Sequence, residues 1–208
     1  STYIAATGNS IASATWGPHE APHADIFAGS GGYHYTGNAY NNSTHQTVEG
    51  CKTCHMGKIA ANGNYPDHSF QPVVASCRTA GCHASDAGTS FDISGGQSKV
   101  KDLLKELQAL LNTRGLLTRS SAAPYAGLTS ELGDGQYNLD RTRPGSGDGG
   151  TNQSLDADTA GALYNYIIAS RGSAWGVHNP IYTQQLLWDS INFLKPGAPV
   201  SMSTRPHP

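Results

Sequence analysis

Between positions 97 and 114, in QSKVKDLLKELQALLNTR, apolar residues fall at Val100, Leu103, Leu104, Leu107, Leu110 and Leu111. That one-face spacing predicts an amphipathic helix, which Gly115 ends. The stripe lasts less than three heptads, so it reads as a helix packed on a core rather than a coiled-coil seam. A second helix is expected over 156–171, with Leu163, Tyr164, Ile167 and Ile168 inward, and a third over 180–195, with Ile181, Leu187, Trp188, Ile191 and Leu194 inward. Asn179 and Pro180 read as the N-cap and first residue of the third helix, and Pro196 with Gly197 stops it. Residues 1–50 sustain no period and read as irregular loops with a short helix near 22–28, while 134–153, containing RTRPGSGDGG, reads as a long surface loop. The expectation is a mostly α fold with extensive irregular loops and few or no strands, in one domain over 1–208. Its parts are a loop-rich segment 1–50, a cysteine-bearing segment 51–85, a helical segment 97–195 and a tail 196–208.

Composition supports the loop-rich picture, since 25 glycines and 11 prolines accompany a hydrophobic fraction of only 37% in 208 residues. A formal charge of -2 and a charged fraction of 13% supply no basic surface to track phosphates, so nucleic acid is not an expected partner. No apolar run approaches the roughly eighteen residues of a membrane span. The chain starts at a serine without a charged and apolar leader, which reads as a mature exported form.

The chemistry concentrates in four cysteines. Cys51 pairs with Cys54 in CKTCH and Cys77 with Cys82 in CRTAGCH, and each second cysteine is followed at once by histidine, His55 and His83. With nine histidines in the chain, two such successors arise by chance about once in five hundred cases. Two disulfides, one zinc site or two thioether pairs are the chemical options. Structural zinc favours two similar knuckles and gives the adjacent histidine no task. A thioredoxin-like disulfide needs the pair at the start of a helix after a strand, and the Gly, Asn and Pro flanks supply no strand. Covalent haem uses every member: two thiols add to two vinyl groups, and the following histidine binds the iron.

On these residues the chain resembles the multihaem c-type cytochromes. CKTCH is similar to their usual attachment motif, and CRTAGCH resembles the longer variant of tetrahaem cytochromes of the c3 type. PHADIFAGSGGYHY, DHSFQP and GVHNPIYTQQLL resemble segments of larger periplasmic and extracellular multihaem proteins, in which such histidines are distal iron ligands. The resemblance implies a small haem-core cytochrome c fold with two covalently bound haem c groups, attached at Cys51 and Cys54 and at Cys77 and Cys82, with His55 and His83 as proximal ligands. The chain departs from the larger relatives in having only two attachment sites.

Methionine is a poor source of the sixth ligand, because Met56 follows His55 directly and Met202 lies in a Pro-rich tail. Supply therefore favours histidine from His19, His23, His34, His45, His68, His178 and His207. His68 and His178 are the preferred distal ligands, with His45 and His19 as alternatives that can also serve a neighbouring copy. Two bis-histidine irons imply low potentials. The functional expectation is an extracellular or periplasmic electron carrier whose partners are redox proteins or copies of itself, the latter as a conductive filament. The rival is a haem enzyme, an oxyanion reductase or peroxidase, which needs one open iron.

Overall fold

The computed structural model describes residues 4, 10–11, 16–18, 22–58, 63, 65–66, 68–79, 81–86, 88–119, 137–139, 153–171 and 174–207. The leucine stripe forms helix α4, Gly96–Thr113, with Val100, Leu103, Leu104, Leu107 and Leu111 fully buried. It ends where Gly115, at φ 71°, turns the chain and donates to the carbonyl of Asn112 at 2.8 Å. Helix α5, Ala157–Ser170, starts at Asp156, whose carboxylate accepts from the Thr159 amide at 2.8 Å. Helix α6, Pro180–Leu194, starts at Asn179. Helix α6 packs on both α4 and α5, and these three helices enclose one apolar core.

Among the helices whose ends are described, three shorter ones precede them: α1, His23–Ala28, α2, Lys52–His55, and α3, Val74–Cys77. The strands are short and antiparallel: β1 (Ser10–Ile11) pairs with β4 (Gln153–Ser154), and β2 (Leu117–Arg119) with β3 (Tyr137–Leu139). The mostly helical, loop-rich architecture matches the expectation, and the four expected helices fall within one residue of their bounds. Most of the long loop foreseen at 134–153 lies outside the described residues, except for β3 and the first residue of β4.

The apolar core sits apart from the cysteines. The three long helices bury their own apolar faces, whereas the described part of the cysteine-bearing segment 51–85 contributes only Ser76 to the buried set. The chain has enough leucine and isoleucine on α4 to α6 to form a core there, so the cysteine segment lies on its flank.

Helix α6 is also buried more completely than its apolar face requires. Gln184, Gln185, Asp189 and Ser190 are buried, while Ile181 and Trp188, expected inward, are half-buried. The C-terminal tail accounts for this. Gln185 donates to the carbonyl of Pro206 at 2.8 Å, the Trp188 indole donates to that of Met202 at 3.1 Å, and Arg205 grips Asp189 through two bonds of 2.7 and 2.8 Å. The same guanidinium donates to the Ala39 carbonyl at 2.8 Å, tying the tail to the N-terminal loops. Those loops are held to α5 by a reciprocal pair: Asn165 accepts from the Tyr33 amide at 2.7 Å and donates to its carbonyl at 2.9 Å. Gly161 is required beneath them, because a Cβ there would lie 2.1 Å from the Tyr33 ring.

Arg205→Ala leaves the Asp189 carboxylate buried without its counter-ion, which is expected to cost about 3–5 kcal/mol in urea unfolding of the full chain. A loss below about 1 kcal/mol would show that the pair behaves as an exposed ion pair.

Candidate functional site

Both cysteine motifs close the same hydrogen bond despite their different lengths. The His55 amide donates to the carbonyl of Cys51 at 2.9 Å, and the His83 amide donates to the carbonyl of Cys77 at 3.0 Å. In the first motif this is an ordinary helical bond within α2. In the second, the Cys82 amide donates to the Thr79 carbonyl at 3.1 Å and Gly81, at φ 85°, stands in open space. The histidine amide thus returns to the carbonyl of the first cysteine in the longer motif as in the shorter one.

The two motifs also touch. Ser76 of α3 donates to the Cys54 carbonyl at 3.0 Å, and Gly57 lets the segments meet, since a Cβ there would sit 2.5 Å from that of Ser76. All four thiols are free, with Cys51, Cys54 and Cys82 exposed and Cys77 half-buried. The Cys54 thiol is pushed up by burial and then by the neighbouring Cys77, Cys82 and Cys51. Burial raises Cys77 as well, against opposing contributions from Ser76 and Arg78. These two groups therefore stay protonated at neutral pH. Among the described residues no three His, Cys, Asp or Glu side chains converge as a metal cage would require.

The histidines instead come together in pairs. The rings of His55 and His178 have centres 6.1 Å apart with planes at 28°, and those of His45 and His83 have centres 5.9 Å apart with planes at 89°. Two imidazoles sharing one six-coordinate metal are held about 6 Å apart, because two metal–nitrogen bonds of about 2 Å and two ring radii separate their centres. Each pair joins a histidine that follows a cysteine to one from elsewhere in the chain.

Backbone carbonyls set the tautomer of one ring in each pair. His55 Nδ1 lies 2.8 Å from the carbonyl of Phe70, and His45 Nδ1 lies 2.7 Å from that of Val177. A carbonyl only accepts, so both Nδ1 atoms carry the proton and both Nε2 atoms keep a free lone pair. His178 is held neutral by a pKa pushed down to about 4, chiefly by burial and then by His23, His55 and His45. The neutral ring is the form that binds a metal. Among the described residues its Nδ1 is buried with no hydrogen-bond partner, and the ring of His23 meets it edge to face, ring centres 4.6 Å apart. That distance is too short for those two rings to lie on opposite sides of one metal.

Asn179 holds the two non-adjacent histidines in place. It is fully buried, its Oδ1 accepts from the amides of Ser43 at 2.9 Å and Tyr182 at 3.4 Å, and its Nδ2 donates to Asn42 at 2.8 Å. The first bond fixes the 3-10 turn Thr44–Thr47 that carries His45; the second caps α6 directly after His178.

Among the expected distal ligands, His178 and His45 therefore lie opposite proximal-type rings. His68, which shared first preference, is exposed in a turn and shares no ring contact with another histidine among the described residues. Its neighbour Phe70 reaches the site instead, stacking on His55 at 4.7 Å. His19 lies outside the described residues. His34 is engaged elsewhere, stacked on Tyr40 with centres 4.1 Å apart and bonded to the Tyr182 hydroxyl at 2.8 Å. The second role of Asn179 and the carbonyls of Phe70 and Val177 had no signal in the sequence, since main-chain acceptors are set by tertiary contact. Comparison with protein families, curated proteins and solved structures finds no match.

Asn179→Ala removes the helix cap and leaves the Ser43 amide and the Asn42 side chain without a partner. The expected loss is about 2–3 kcal/mol in urea unfolding of the full chain. A change within about 0.5 kcal/mol would show that this junction does not hold the site.

Proposed function

We propose that the protein is a dihaem c-type electron-transfer protein, with Cys51 and Cys54 carrying one haem and Cys77 and Cys82 the other. The observation that carries the reading is the occurrence of two histidine pairs, His55 with His178 and His83 with His45, each at the separation that one six-coordinate iron needs. The shared hydrogen bond in the two motifs supports treating them as equivalent attachment sites. In this reading the bound haem supplies a one-electron change at iron. The chain supplies thioether anchors, neutral axial nitrogens with fixed tautomers, and contact between the two attachment segments.

Donors and acceptors would be one-electron redox proteins at the exposed cysteine flank. Thioether attachment of haem places the working protein outside the cytoplasmic membrane, in the periplasm or beyond the cell. No helix among the described residues is long and apolar enough to cross a membrane. Filament formation is a separate proposal, which the two ring pairs do not require because each is complete within one chain. The exposed His68 and His207 are the described histidines left for a neighbouring copy. A haem enzyme is disfavoured on the same ground, since each histidine next to a cysteine already faces a second one.

Intact mass and a pyridine haemochrome spectrum of protein matured in a haem-attaching host are expected to give two haems per chain. The double variants Cys51→Ala with Cys54→Ala and Cys77→Ala with Cys82→Ala should each give one. A wild-type chain with none, or with a metal bound by thiolates, would overturn the reading. Carbon monoxide should leave the reduced wild-type spectrum nearly unchanged, while His178→Ala and His45→Ala should each open one iron to it. A wild-type protein that binds carbon monoxide readily would instead support the enzyme.

A further inference from the structure

We infer that the two iron sites are electronically unlike, because the chain holds one axial ring pair close to parallel and the other perpendicular; the inference rests on the dihaem reading above. The planes of His55 and His178 differ by 28°, and those of His45 and His83 by 89°.

Both angles have visible causes. Phe70 stacks on His55 with planes at 22° while its carbonyl takes the Nδ1 proton, so the ring is constrained on its face and at its edge. Phe70 adopts φ 60° to do this, a left-handed conformation uncommon for a large aromatic residue. His178 is wedged by the edge of His23, whose plane lies at 66° to its own. His45 is turned by its bond to the Val177 carbonyl, and the amide of His83 is tied to Cys77. Each pair contains one ring whose Nδ1–H goes to a main-chain carbonyl, so hydrogen bonding strengthens one ligand at each iron alike. The ring angle is a difference that remains.

An imidazole interacts with iron through the π orbital normal to its plane. Two parallel rings raise the same member of the pair of iron d orbitals that point between ring and porphyrin, and so split that pair. Two perpendicular rings raise one member each and leave the pair nearly degenerate. Low-spin ferric iron has its electron hole in this pair, so splitting favours the ferric state and near-degeneracy does not. Axial-ligand geometry therefore gives the His55 and His178 site the lower potential and the His45 and His83 site the higher. Within one molecule the electron rests preferentially at the site attached through Cys77 and Cys82.

The test is electron paramagnetic resonance of the oxidised holoprotein, followed through a redox titration. Two low-spin signals of equal intensity are expected, one rhombic and one strongly axial, with the axial signal lost first on reduction. Phe70→Gly keeps the carbonyl and suits the positive φ while removing the stack, so it should shift the rhombic signal and leave the axial one in place. Two signals of the same shape, loss of the rhombic signal first, or a Phe70→Gly variant that moves only the axial signal would overturn the inference. High-spin iron at either site would overturn the bis-histidine reading beneath it, a separate and distinguishable failure.

Discussion

The junction at Asn179 is the contact on which the arrangement of histidines depends. One buried amide side chain caps the helix that begins just after His178 and binds the turn that carries His45. One residue before His178, the Val177 carbonyl takes the His45 proton. Two histidines far apart in sequence are thus positioned by a single three-residue stretch, Val177 to Asn179. Such a stretch is rigid because all its polar contacts lie at the start of a buried helix. The three-helix core supplies that rigidity, and the cysteine motifs approach it from outside.

The division has a physical logic. A segment with four cysteines, short helices and little buried surface cannot hold imidazoles to a fraction of an ångström by itself. Placing the partner histidines on the well-packed side means that half of each proposed iron site exists before the attachment segment docks. Carbonyls then fix the remaining freedom, the choice of tautomer and the ring rotation. The longer motif matches the shorter one in the bond from the histidine amide to the carbonyl of the first cysteine.

The helices were legible because their signals are local: the stripe from Val100 to Leu111, the Asn179 and Pro180 start, and the glycine stop at 115 all act within a few residues. The cysteine motifs were legible for the same reason. The pairing of histidines was only half legible. His178 stood out by its place before a helix cap, but His68 was preferred to His45 because it lies between the motifs, and sequence distance does not say which loop faces inward. The burial of Gln185 and Asp189 was hidden likewise, since it follows from a tail that returns to α6 through Arg205. The apolar core enclosed by α4 to α6 was legible too, since their apolar faces suffice for each other.

Near-infrared magnetic circular dichroism of the oxidised holoprotein is the most direct test of the central claim, that both irons lie between two histidines. It reads axial-ligand chemistry without depending on electron-transfer partners. The account expects both irons to show the charge-transfer band of bis-imidazole ligation, with none attributable to methionine or to high-spin iron. A band from histidine–methionine or five-coordinate iron at either site would contradict it.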